Sequence, residues 1–88
     1  MSDTGLIKHQ IADLEAIRKE HLAQASAQRA NAQRFRAQRD RPSNPSRAYE
    51  HQRECDQKAA DAERDADSNT RSAERVLNEI RGLEARLR

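Results

Sequence analysis

Apolar and small residues recur at alternating spacings of four and three along two long stretches of this chain. The first stretch holds Ile7, Ile11, Leu14, Arg18, His21, Ala25, Gln28, Ala32, Phe35 and Arg39 at that spacing. The second holds Ala48, Gln52, Cys55, Ala59, Ala62, Ala66, Asn69, Ala73, Val76, Ile80, Leu83 and Leu87. This is the a/d seam of a coiled coil, sustained over several heptads, and it predicts two long α-helices. Between the stretches lies the chain's one cluster of helix breakers, Arg41-Pro42-Ser43-Asn44-Pro45. Pro42 disfavours helical geometry at Arg41. Asn44 followed by Pro45 reads as an N-cap with proline at the first helical position, where its missing N–H costs nothing. Asp3 or Thr4 can cap the first helix. The pattern predicts helices over about 4–41 and 45–87 with a turn at 42–44, each helix roughly 55–65 Å long at 1.5 Å per residue.

A short helix–helix connection implies antiparallel neighbours. The expected fold is therefore all-α, a single antiparallel two-helix hairpin spanning residues 1–88. A bend centred near Ser43 brings the seams together as Ile7 with Ile80, Ile11 with Val76, Leu14 with Ala73, Arg18 with Asn69 and His21 with Ala66. Ala25 then meets Ala62, Gln28 meets Ala59, Ala32 meets Cys55, and Phe35 meets Gln52. A register one heptad away, with Leu14 against Ile80, matches as well but needs a longer loop. The large aliphatics gather at the end holding both termini. The middle is weak, because Arg18, His21 and Gln28 sit in the seam against small partners. A hairpin of this kind is marginal without help. A second stripe on the first helix, Ala12, Ala16, Ala23, Ala30 and Ala37 interleaved with Lys19, Ser26 and Gln33, repeats the spacing on the opposite side. It is either a solvated face rich in helix formers or a second seam, and as a seam it would carry a homodimer with four bundled helices.

Composition sharpens this picture. Of the 88 residues 34% are hydrophobic, 2% aromatic and 36% charged, too few large side chains for a compact globule to offset its conformational entropy. Disorder is disfavoured by the near balance of 17 basic and 15 acidic residues and by the shortage of Gly and Pro, two each. No targeting segment is visible and no apolar run approaches a membrane span. Cys55 is the only cysteine and can make no internal disulfide. A cytoplasmic protein with no membrane partner is the expectation.

Catalysis requires a water-excluding pocket with groups in fixed relation, which a two-helix rod does not provide. His9, His21 and His51 show no helical metal-site spacing, and there is no phosphate loop or zinc-type cysteine pattern. The sequence is read as a non-enzyme without cofactor or metal. Charge is the informative remainder. From Arg29 to Arg53 seven arginines face only Asp40 and Glu50, whereas Glu54 to Glu79 holds eight acidic residues against four basic ones. The folded hairpin should carry a basic turn end beside a mostly acidic second helix. The candidate partner-binding residues are Arg34, Arg36, Arg39, Arg41, Arg47, Tyr49 and Arg53, with Tyr49 off the seam and exposed. Tyr and Arg are the favoured anchors of protein interfaces. An acidic protein surface suits them better than nucleic acid, because net charge is only +2 and aromatic residues for stacking are nearly absent. Nucleic-acid binding through the same arginines is the alternative.

The helix–Pro42-Ser43-Asn44-Pro45–helix layout resembles that of type III secretion needle subunits, which are also small helical hairpins. That resemblance implies a structural or secretion-apparatus subunit as a third reading. The chain departs from those subunits in its dense arginine and its Ala-rich second helix. The leading expectation is a small protein-binding module, an adaptor or an inhibitor of the kind accessory elements and phages encode. It would dock through the arginine-rich turn end or the alanine face.

Overall fold

A computed structural model describes residues 3–42 and 44–88. Two helices account for nearly all of them: α1 over Asp3–Gln38 and α2 over Ala48–Ala85, with a single 3-10 turn at Pro45–Arg47 leading into α2. They pack side by side as a rod with principal extents of 69 × 14 × 13 Å. The all-α hairpin is thus the architecture, and no strand occurs among the described residues.

The punctuation near Pro45 behaves as its chemistry dictates. The Asn44 side chain accepts a hydrogen bond from the Ser46 backbone N–H at 3.1 Å and another from the Ser46 hydroxyl at 2.8 Å. Pro45 occupies the first position of the element. The bend expected near Ser43 lies outside the described residues. Both proposed capping residues of the first helix, Asp3 and Thr4, are already inside α1.

The end of α1 differs from expectation, since it stops at Gln38 and not at Arg41. Proline restricts the residue before it, but it also acts four residues back: its ring crowds that carbonyl and it has no N–H to offer it. The carbonyl in question is that of Gln38. Two other groups bond it instead, the Arg41 backbone N–H at 3.0 Å and the His51 side chain, whose Nε2 donates across the hairpin at 2.6 Å. The connection is consequently longer than the expected turn, because α2 proper begins only at Ala48.

A longer connection permits a different register, and the register does differ. Asn69, expected against Arg18, lies between His21 and Gln28: His21 Nδ1 donates to its Oδ1 at 2.9 Å, and its Nδ2 donates to Gln28 Oε1 at 2.9 Å. Lys58 lies over the Phe35 ring, 5.7 Å from its centroid, where Gln52 was expected. Leu14 shares a groove with Glu79, Gly82 and Leu83, not with Ala73. All three observations slide α2 toward the turn, the direction of the register that sets Leu14 near Ile80.

Seam membership itself is as expected. Every residue of α1 that is not fully exposed belongs to the predicted first seam, and all twelve members of the second seam are buried or half-buried. The core consists of Ile7, Ala25, Ala32, Cys55, Ala59, Ala66, Ala73 and Ile80. Alanines at seven-residue intervals on both helices leave no bulk between the backbones, so they exclude water by close approach and not by filling volume. The aliphatic contribution concentrates at the terminal end, where Ile7 and Ile80 are both buried.

Candidate interaction site

Arginine dominates the half of the hairpin near the turn, and the structure divides these side chains into two groups. Arg29 and Arg36 stand one heptad apart, four residues after the seam alanines Ala25 and Ala32. That is the flank from which coiled-coil helices pair charges. Arg29 donates to Thr70 Oγ1 at 2.8 Å and lies 3.9 Å from Asp67. Arg36 pairs with Glu63. Arg39 reaches Asp56 at 2.8 Å and Asp40 at 3.6 Å. Arg47 is bonded within its own helical turn to Glu50, at 3.0 Å from Nε and 2.7 Å from an η-nitrogen. Asp56, Glu63 and Asp67 of α2 thus each take up an arginine from the first half of the chain, and the turn end is less basic than its sequence alone indicates. These pairs are exposed, where such interactions contribute about 0–1 kcal/mol each. Their value is in fixing which flanks of the two helices face one another.

The second group has no acidic partner among the described residues. Arg34 and Arg41 are exposed and unpaired. Arg53 instead covers Tyr49, its guanidinium carbon 5.9 Å from the ring centroid. Tyr49 is 72% exposed, the most exposed of the large apolar side chains among the described residues. It projects from the first turn of α2, a position fixed by the Asn44–Pro45 start signal. Beside it, Pro42, Asn44, Arg47, Glu50, His51 and Glu54 line a shallow cleft of about 220 Å³. His51 of this lining also has its Nε2 3.6 Å from Cys55 Sγ. Cys55 is buried in the seam and free.

The expected partner-binding set is thus split. Tyr49, Arg53 and Arg41 share the turn end and present unpaired chemistry to solvent, while Arg34 stands further down α1. Arg36, Arg39 and Arg47 are engaged internally. Sequence reasoning missed this because it summed charge along the chain. The heptad spacing of Arg29 and Arg36, against that of Asp56, Glu63 and Thr70, carries the signal.

The alanine stripe is elsewhere. Ala12, Ala16, Ala23, Ala30 and Ala37 are all exposed along the outer side of α1. No group of three potential metal ligands occurs among the described residues, and no helix is long and apolar enough to cross a membrane. Compared with known protein families, with characterised proteins and with solved structures, the chain matches none.

Proposed function

We propose that this chain is a non-enzymatic binding module, an adaptor or an inhibitor, that docks on an acidic protein surface through Tyr49, Arg53 and Arg41 at the turn end. The observation that carries this reading is the exposed Tyr49 with Arg53 lying over its ring. A tyrosine contributes a large, stiff, amphipathic surface at low entropic cost, and an arginine on its face adds a charge already oriented for a carboxylate. Neither group belongs to the seam, and among the described residues neither makes an ion pair across the hairpin.

Exposed area supports a partner as well. A compact monomer of this mass exposes about 5,300 Å² by size scaling. The rod exposes 6694 Å². The excess, about 1,400 Å², is more than one partner's share of a standard interface, about 800 Å². No large side chain among the described residues is fully buried, so the hairpin has apolar surface to give to a partner. A cytoplasmic setting is consistent with its single free thiol.

The reading is tested by capture from nuclease-treated lysate with the native chain and with a Tyr49→Ala/Arg53→Ala variant side by side. One protein recovered in near-stoichiometric amount by the native chain and lost with the variant supports it. Retention of that protein by the variant overturns the assignment to the turn end. Recovery that disappears with nuclease and falls steeply with salt would place the arginines on nucleic-acid phosphates instead.

A further inference from the structure

The terminal end of the rod carries an open groove that the binding reading does not use. Gln10, Asp13 and Leu14 of α1 and Glu79, Gly82, Leu83 and Arg86 of α2 line about 580 Å³ of open space. Leu6 and Ile17 extend its α1 wall in both directions, since residues 6, 10, 13 and 17 share one face by helical spacing. They are 48% and 44% exposed, so the apolar surface of this end continues beyond the seam.

Gly82 is the informative residue. A glycine inside a helix costs up to about 1 kcal/mol relative to alanine. Its usual justifications are a positive φ or a close neighbour, and neither holds here: no glycine among the described residues has a positive φ, and a Cβ at position 82 would meet nothing within 4 Å. The notch is therefore unoccupied by this chain's own atoms. On either side of it stand Glu79 and Arg86, neither in an ion pair among the described residues. They are two helical turns apart, roughly 10 Å along the axis, too far to reach one another.

We propose that the groove is occupied by a second copy of this chain, with the two α2 helices crossing antiparallel at Gly82. A two-fold axis between Gly82 and Leu83 sets Glu79 of each copy against Arg86 of the other. One interface then pairs Glu79 and Arg86 of both copies, as a self-complementary two-fold contact must, while Asp13 on the α1 wall lies 3.8 Å from His9 of its own helix. Gly82 of each copy flanks the axis and faces Leu83 of the other, and its missing side chain lets the backbones approach closely. Leu6, Ile17, Leu14 and Leu83 supply the apolar area. This assembly joins two rods at their terminal ends and leaves both turn ends free, so it is independent of what Tyr49 binds. It also differs from a dimer built on the outer alanine stripe.

Sedimentation equilibrium over a dilution series tests the arrangement. The native chain is expected to dimerise, and Gly82→Trp to sediment as a monomer with unchanged helicity. Glu79→Arg and Arg86→Glu should each weaken association by about tenfold, as expected when paired charges become repulsive. The double variant Glu79→Arg/Arg86→Glu should restore it, because the swap rebuilds both pairs across the axis. A native chain that stays monomeric throughout overturns the proposal. So does a double variant no tighter than its parents, or a dimer lost through Ala16→Glu on the outer stripe but insensitive to Gly82→Trp.

Discussion

The two ends of this rod are built on different principles. At the terminal end Ile7, Ile11, Leu14, Val76, Ile80 and Leu83 supply nearly all the large aliphatic side chains of the seam, with Ile7 and Ile80 buried. At the turn end the seam holds Phe35, Arg39, Ala48 and Gln52, and order comes from hydrogen bonds: Asn44 on Ser46, His51 on the Gln38 carbonyl, Arg39 on Asp56. One end is held by removal of apolar area from water, the other by caps and exposed ion pairs worth far less each. The contrast explains why the best candidate binding residues stand at the turn. Side chains there can be chosen for a partner, because little of the hairpin's stability depends on them.

The largest expected effect lies at the terminal end. Ile80 is 3% exposed, and Ile80→Ala should cost about 2–4 kcal/mol through lost burial and the cavity left behind. For a hairpin with so small a core, that is enough to lower the thermal midpoint sharply in circular dichroism. A loss no larger than that of a surface substitution would mean that the aliphatic end is not where stability resides.

The middle of the rod stands between these extremes. Asn69 is bonded at once to His21, to Gln28 and to the Asp65 carbonyl. A polar residue in a seam specifies register at some expense in stability. Asn69→Ala leaves part-buried groups on His21 and Gln28 to find water, at about 1–2 kcal/mol. It should also allow the helices to slide, which distance measurements between spin labels on α1 and α2 would detect as a broadened distribution. A single narrow distance unchanged from the native chain would show that register is set elsewhere.

This residue also marks the limit of what the sequence discloses. Which residues face inward was legible from the alternating steps of four and three, because of the two stripes on α1 that follow them only the one through Ile7, Ile11 and Leu14 carries large aliphatics, and Ala25, Ala32, Ala59, Ala66 and Ala73 all fall in place. The cap at Asn44–Pro45 was legible because both residues act on neighbouring backbone, although it opens a 3-10 turn and α2 follows only from Ala48. Register was not. Alanine faces alanine nearly as well one step along the seam as at the next, so the middle scarcely distinguishes alignments. The decision passed to loop length, and hence to the action of Pro42 on the Gln38 carbonyl four residues earlier. At the turn end the sequence placed Tyr49 outside correctly, yet the division of arginines into paired and unpaired depended on that same register.

Two smaller effects separate the ends further. Asn44→Ala removes the side-chain acceptor that caps the entry to α2 and should cost about 1 kcal/mol, whereas Asn44→Gly should cost only a few tenths. Urea titration resolves the two, and equal losses would show that the cap contributes nothing. At the opposite end Gly82→Ala should stabilise the isolated hairpin by about 0.5–1 kcal/mol, since the added Cβ meets no neighbour and the helix gains propensity. A destabilisation in dilute solution would mean that the notch is filled in the monomer.

The smallest effect on stability is expected where the effect on function should be greatest. Tyr49 is 72% exposed and touches the hairpin chiefly through Arg53, so Tyr49→Ala should shift stability by less than about 0.5 kcal/mol, as surface substitutions usually do. Binding should respond quite differently. Truncating a central aromatic anchor commonly weakens an interface by about 2 kcal/mol or more, on the order of thirtyfold in affinity. Tyr49→Phe separates the ring from the hydroxyl, and Arg53→Lys separates a planar guanidinium from charge alone. A partner that tolerates Tyr49→Ala and Arg53→Ala but is lost through a substitution in the terminal groove would reverse the comparison between the ends. If instead the turn-end variants keep full helicity and lose the partner, the division stands: the terminal end holds the hairpin together, and the turn end is free to bind.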